Sequence, residues 1–293
     1  MFSSLNHVGF NITKTKLQLV EVVKEKGNYC LENVDEEPFD ENGFHFNYDE
    51  SNFINTLQTA FTSLTNRNFL KSKNVSFAIP TELFKFFKIP FEPSLSDSAF
   101  KKHLEWEFKM LFPTLDKNDY FLQKLQLAKK TGILQVLVVA LPKNIATSLY
   151  EFCKHNNLRL RYINAACFSS DSIIDKSATL SLYVEQNSVS IAFYTEGELF
   201  AFINKQATGT NKITDILLGF VKQTNITYDS VYIAGTEDMF ELKTYLEETL
   251  NTPVKMFNPF ATIKHSETFI QNGHFLNTPN SFAAAAGICY RKF

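Results

Sequence analysis

Asp171 and Asp175 are one helical turn apart if residues 170–176 are helical, which would set two carboxylates on one face. Paired carboxylates can do acid–base work, but no His or further Glu lies near them, so both read as surface residues. Glu107 has the more suggestive place. On a helix from about Ser96 to Leu111, at about 100° per residue, it falls within the stripe formed by Phe100, Leu104, Phe108 and Leu111. There it is either a buried carboxylate gripping a partner peptide or an internal basic group, or a Glu at the stripe's edge facing solvent or a Lys. The cost of burying an unpaired carboxylate favours the edge. Trp106 and Met110 flank the same helix and are candidates to line a groove for an apolar peptide, with packing on a neighbouring element the favoured reading.

Other chemistries find less support. Cys30, Cys153, Cys167 and Cys289 are far apart with no CxxC, and the six histidines form no HxH or HExxH, so no metal site or redox pair is expected. No Gly-x-Ser-x-Gly occurs, although a triad assembled only in space leaves no mark in a sequence. The pairs Lys101-Lys102 and Lys129-Lys130, with Arg159 and Arg161, read as solvated faces before they read as a site for acidic lipid or an acidic partner.

The 293 residues are 44% hydrophobic and 20% charged, with 30 Phe against 10 Gly, which suits a folded chain of two lobes with a large aromatic core. A net charge of −2 gives no electrostatic case for nucleic acid. The opening residues lack a signal peptide's basic flank and apolar run. The longest apolar stretch, Ile133 to Leu141, falls far short of the roughly 20 residues a membrane span needs. A cytoplasmic protein without direct membrane insertion is expected.

Alternation predicts three strands through Val8-Phe10-Ile12, Leu17 to Val23 and Tyr29-Leu31, then an acidic connection from Asp35 to Asp49. Helical spacing follows from Glu50 to Leu64, then a strand from Lys73 to Pro80 and another from Lys85 to Phe91. After the 96–111 helix, strands over 119–128 and 133–141 flank a turn at Lys129-Lys130-Thr131-Gly132. A helix from Lys143 to His155 leads into a strand at 158–163. The opening rhythm then returns: sliding by 172 positions places Leu180 on Val8, Leu182 on Phe10, Val184 on Ile12, Val189 on Leu17 and Ile191 on Leu19. A helix over 211–223, a strand at 230–234, a helix to Leu250, a strand at 254–257 and a helix from about Ser281 complete the chain.

Two lobes that each open with a three-stranded meander resemble the actin, Hsp70 and FtsA superfamily. The order of elements resembles the PilM-like actin-type ATPases of type IV pilus assembly over nearly the whole chain. Val8-Gly9-Phe10-Asn11-Ile12 with Leu17 to Glu21 resembles the family's opening turn and return strand. Leu104-Glu105-Trp106-Glu107 with Phe112-Pro113, Val138 to Lys143, Val231 to Gly235, Met256 to Phe260 and Phe282 to Gly287 resemble further segments in the same order. The resemblance implies a duplicated actin-like (ribonuclease H-like) α/β fold. Residues 1–175 would form the first lobe, with a small subdomain inserted at about 85–140. Residues 176–280 would form the second lobe, and 281–293 a helix returning to the first.

A Mg-ATP site of that family needs an Asp after each lobe's first strand and glycines that let backbone N–H groups reach the phosphates. Here the first Asp position is Asn11 and its Gly is Thr13, and a basic position on the return strand is Gln18. The second Asp is Tyr183 and its Gly is Glu185, while the purine-supporting Gly-Gly is Gly235-Thr236. A Glu185 carboxylate about 4 Å from a phosphate charge would repel it by roughly 1 kcal/mol in water and about 4 at an effective dielectric near 20. The resemblance therefore implies a degenerate nucleotide site, no cofactor and no catalysis, with ATP and magnesium only if the altered loops still work. It also implies a protein or peptide partner, such as the cytoplasmic tail of a single-pass membrane protein held between the core lobe and the insertion. Peripheral placement at the inner membrane would come through that partner. An atypical ATPase, a small-molecule-binding pseudo-kinase and a scaffold unrelated to pili stay open as alternatives.

Overall fold

In a computed structural model of the chain, residues 6–25, 28–39, 50–128, 134–236, 239–266, 269, 275 and 278–290 are described. The elements run β1 (His7–Ile12), β2 (Lys16–Glu25), β3 (Asn28–Pro38), α1 (Glu50–Arg67), β4 (Asn74–Ile79), β5 (Lys85–Pro90), α2 (Asp97–Leu111), β6 (Tyr120–Gln126), β7 (Gln135–Pro142), α3 (Lys143–His155), β8 (Arg159–Ala165) and α4 (Ala166–Ser170). The second half continues with β9 (Ala178–Glu185), β10 (Ser188–Thr195), β11 (Glu198–Gln206), α5 (Thr210–Thr224), β12 (Ser230–Gly235), α6 (Phe240–Leu250), β13 (Val254–Met256), β14 (Lys264–His265) and α7 (Ala283–Tyr290). The turn expected at Lys129 to Gly132 lies outside the described residues.

Three sheets result, ordered β14-β3-β2-β1-β4-β8, β11-β10-β9-β12-β13 and β5-β7-β6. The two large ones share a plan in which a first strand pairs antiparallel with its hairpin partner and parallel with a strand beyond a helix. Their hairpins are in register: Asn11 faces Gln18 across β1–β2, and Tyr183 faces Ser190 across β9–β10, each pair displaced by the same 172 positions. The fold is α/β and duplicated. β14 lies parallel to β3, so the chain is back on the first sheet by Lys264, ahead of the helix expected to bring it there.

The aromatic load has a specific use. β1 and β4 are central, parallel and buried on both faces: Val8, Phe10 and Ile12 with Val75, Phe77 and Ile79 line the aromatic side, while small or polar residues such as Gly9, Asn11 and Ser76 lie on the other. Phe10 stacks on Phe77 with centroids 5.3 Å apart, and Phe61 and Phe152 close edge-on from α1 and α3. In β9 the period of two divides the labour. Leu180, Leu182 and Val184 enter the second lobe's core, while Tyr183 joins the first lobe's core with Tyr194, Phe202 and Phe257. One continuous core therefore crosses between the lobes. In the inserted subdomain, Phe100, Leu104 and Phe108 lay α2 on Phe87, Ile89, Val136 and Val138, and Ser96 caps the helix by accepting from Ala99 N–H at 3.2 Å.

Helix α7 is Ala-Ala-Ala-Ala-Gly-Ile-Cys-Tyr, buried from Ala283 to Cys289. Its small residues permit contact that larger ones would block. A Cβ on Gly9 would stand 2.1 Å from the Ala285 carbonyl oxygen, and one on Gly287 would stand 1.8 Å from the carbonyl of Ser169. Backbone rather than a mobile side chain is the obstacle. Gly287→Ala is expected to cost about 1–3 kcal/mol through forced displacement of α7 or α4. A denaturation midpoint equal to the parent's would show that the helices can part freely.

Three sequence readings need correction. Residues 170–176 are not one helix: a single 3₁₀ turn at Asp171–Ile173 follows α4, and Asp171 is buried, not a surface group. Its Oδ2 accepts from Tyr194 Oη at 2.7 Å and its Oδ1 from Ser181 Oγ, both from the second lobe. β3 runs on through the acidic residues to Pro38 because Arg67 of α1 holds Asp35 at 3.0 Å and also pairs with Glu37. Trp106 and Met110 are not packed on a neighbour; they are 57% and 62% exposed.

Candidate functional site

The loops at Asn11–Thr13, Tyr183–Glu185 and Gly235–Thr236 meet at the mouth between the lobes. Thr13, Glu185 and Thr236 line a single cavity with Lys14, Pro80 and Glu82. Its volume is about 40 Å³. Small-molecule sites enclose about 300–1,000 Å³, whereas a water's share of liquid volume is about 30 Å³.

The chain's own groups fill the rest. Thr13 organises its turn: its hydroxyl donates to Lys16 O at 2.9 Å and accepts from Lys16 N–H at 2.9 Å. Asn11 Nδ2 donates to Gln18 Oε1 at 2.9 Å, and Gln18 Nε2 donates to Glu36 Oε2 at 3.1 Å. Lys16 pairs with the same Glu36 oxygen at 2.8 Å. Asn11 Nδ2 and both polar ends of the Gln18 amide are thus engaged in a relay that ends on an ion pair, while among the described residues Asn11 Oδ1 and the Tyr183 hydroxyl are buried without a hydrogen-bond partner. Tyr183 is one of the largest fully buried side chains, with Asn11 beside its phenol. Gly235 allows the end of β12 to close on β9, since a Cβ there would lie 2.3 Å from Val184 O, and Thr236 N–H donates to that oxygen at 3.0 Å.

Glu185 bridges the lobes. Both carboxylate oxygens lie 3.2 Å from the backbone N of Thr81 in the first lobe. Burial pushes its pKa up to about 7, Thr81 opposes that by hydrogen bonding, nearby Glu82 adds to it and Lys14 subtracts. Lys14 pairs with Glu82 at 2.9 Å. The Glu185 carboxyl group therefore holds the backbone donor at the end of β4 and occupies the space between the lobes.

Thr81–Leu83 is one turn of 3₁₀ helix joining β4 to β5. Glu82 lines the interlobe cavity and also a second, wider groove of about 560 Å³ between the first lobe and the insertion. Leu83, Lys85, Leu115, Asp119, Tyr120 and Lys143 face that groove. A third recess of about 520 Å³ lies within the subdomain, lined by Phe91, Pro93, Leu95 and His103. Trp106, Glu107 and Met110 line neither. Glu107 is half-buried, its carboxylate 3.7 Å from His103 Nε2, so the Glu on the stripe's edge has an imidazole neighbour rather than a lysine.

The four cysteines are buried and unpaired. Among the described residues no group of three His, Cys, Asp or Glu side chains is placed to hold a metal ion. Nor is any described helix long and apolar enough to cross a membrane. Arg161 donates to Asn74 Oδ1 at 2.9 and 2.7 Å, so it is committed internally, while Lys129 and Lys130 lie outside the described residues. Sequence reasoning missed Asp171, Thr81 and Glu82. Asp171 reaches its partners 10 and 23 residues on, and Thr81 meets Glu185 across 104, which no local pattern signals.

This architecture is the actin-like ATPase fold. A chain of the PilM–PilN type IV pilus biogenesis complex superposes with a TM-score of 0.74 at 14% identity, covering 98% of each chain. A Bacteroides thetaiotaomicron protein of actin-like ATPase fold and unknown function gives 0.60 at 15%, over 99% of this chain and 97% of that one. The cytoplasmic domain of EpsL, an inner-membrane component of the Vibrio cholerae type II secretion system, gives 0.54 at 7%, over 98% and 96%. The sequence itself matches no protein-family model and no curated protein.

Proposed function

We propose that this chain is a non-catalytic scaffold of actin-like fold, and that its groove between the first lobe and the insertion holds the cytoplasmic tail of a membrane protein in a pilus- or secretion-type assembly. The observation that carries the first half is the Glu185 bridge to Thr81, which puts the protein's own carboxyl group between the lobes beside a cavity of only about 40 Å³. The second half is supported by the wider groove and by its structural likeness to a chain of the PilM–PilN complex and to the EpsL cytoplasmic domain. Leu83, Leu115 and Tyr120 offer apolar contacts, and Lys85, Asp119 and Lys143 offer polar ones to a peptide backbone. Among the described residues β5 and β6 each pair only with β7 in their sheet, so both present edges to an extended segment.

Thermal unfolding with Mg-ATP and with Mg-ADP up to several millimolar tests the reading. A ligand at about 100 times its Kd would add roughly 2.7 kcal/mol to stability, so a flat response is expected. A magnesium-dependent rise would replace the scaffold with an atypical ATPase. A photo-crosslinker placed at Leu115 in cells should join the chain to a membrane protein. Labelling of soluble proteins alone would remove the tail-binding half and leave the nucleotide result untouched.

A further inference from the structure

We propose that the outward face of α2 rests on an anionic membrane surface, with Trp106 and Met110 seated at the boundary between headgroups and acyl chains. The helix buries Phe100, Leu104 and Phe108. At about 100° per residue, the side turned farthest from those three carries Lys102, Trp106, Lys109 and Met110. A surface helix ordinarily places charge there. Here the outermost positions include an indole 57% exposed and a thioether 62% exposed, with Leu111 49% exposed at the helix end. The Trp106 ring stacks on His103 with centroids 6.3 Å apart, which holds the indole against the helix while leaving it open to the outside.

Charge identifies the occupant. Lys101, Lys102 and Lys109 are exposed along the helix. Of its acids, Glu105 is held by Lys117, which keeps it below the usual carboxylate range, and half-buried Glu107 lies beside His103. Asp97 sits at the far N-terminal end. The outer face is thus apolar at its centre and basic at its flank, the pattern of a helix lying in a membrane interface. Neither groove of the subdomain includes Trp106 or Met110, so the face is a ridge rather than a socket. Lipid conforms to a ridge, and its phosphates complement the lysines. This contact is separate from the tail-binding groove and requires no membrane span.

Trp106 is the chain's single tryptophan, so its emission reports on this face alone. The full chain is mixed with vesicles of phosphatidylcholine, or of phosphatidylcholine with about a quarter phosphatidylglycerol, in the absence of any partner tail. Anionic vesicles should shift the emission to shorter wavelength, and brominated acyl chains should quench it; neutral vesicles should do neither. In co-sedimentation, Trp106→Ser should weaken partitioning about tenfold, and Lys102→Gln with Lys109→Gln about fivefold per lysine. Unchanged thermal unfolding of these exposed variants would tie the losses to the surface. Unaltered emission with anionic vesicles would overturn the proposal, even if the protein sedimented, because another face would then be binding. A lipid-independent shift that grew with protein concentration would also overturn it, in favour of a second copy.

Discussion

Lowering the pH from about 7 to about 5 should raise the melting temperature of this protein. Three carboxyls, those of the buried Glu21 and Asp171 and of the half-buried Glu185, bind protons more tightly in the folded chain than they would unfolded. Burial raises Glu21 from 4.5 to about 7, against the N–H of Ser72, which donates to it at 2.7 Å. Burial likewise raises Glu185 from 4.5 to about 7 and Asp171 from 3.8 to about 6. For such groups the stabilising contribution is complete below the unfolded pKa and is lost as pH climbs through the folded one. His7 works the other way. Its burial and the Arg161 charge lower it from 6.5 to about 4, so its contribution fades as pH falls across that range. One displaced imidazole offsets one displaced carboxyl, which leaves the equivalent of two. A displacement the size of Glu21's corresponds to about 3 kcal/mol, so a net change of several kcal/mol and several degrees is expected. The exposed acids Glu105 and Glu247, held low by Lys117 and Lys243, act only below the window. Calorimetry across this range should show the slope, and Glu21→Gln and Glu185→Gln should each flatten it. Stability that increased with pH over the same interval would mean that these carboxyls are ionised in the native state.

Truncating Tyr183 should be the largest single side-chain loss, about 3–5 kcal/mol for Tyr183→Ala, as for other large buried aromatics. The ring belongs to the core that crosses between the lobes, so the vacancy would fall where both must hold together. Tyr183→Phe separates packing from the hydroxyl. That hydroxyl is buried beside Asn11 without a hydrogen-bond partner among the described residues, so its removal should cost no more than about 1 kcal/mol. Chemical denaturation of the two variants checks both figures. Equal losses would place the value of Tyr183 in its phenol and not in its ring. Neither variant should gain stabilisation by Mg-ATP, because Glu185 still occupies the Thr81 N–H.

The repeated meander was legible because it is written in alternation, which a single strand displays in full. The 172-residue displacement that aligned Leu180 with Val8 also relates Tyr183 to Asn11 in the paired hairpins. Helices α2 and α3 were legible from their apolar spacing. Less local features were not. Ala-Cys-Phe-Ser-Ser of α4 is too short to show a period, and β14 is two residues held by β3. A helical wheel located the stripe of α2 but said nothing of whether another element covers its flank, so Trp106 and Met110 were wrongly expected to be packed. At the candidate site, the family resemblance implied which phosphate-binding positions had changed. It could not show that Thr81 supplies Glu185 with a donor, because that pairing exists only once the lobes meet.

The position of α7 bears on how the chain reaches this fold during synthesis. β1 is made well before the helix that covers Gly9, which comes from residues 283–290. Cys289 Sγ reaches the carbonyl of His7 at 3.3 Å, a contact across 282 residues. Until that helix leaves the ribosome, the first sheet has an uncovered apolar face and cannot complete its core. The second lobe's α5 and α6 face is wholly encoded before Leu250 and can be buried earlier. At about 5–20 residues per second, the interval between β1 and its cover lasts on the order of tens of seconds. The small side chains of α7 thus serve a late arrival: they let this helix enter a space whose walls are already built.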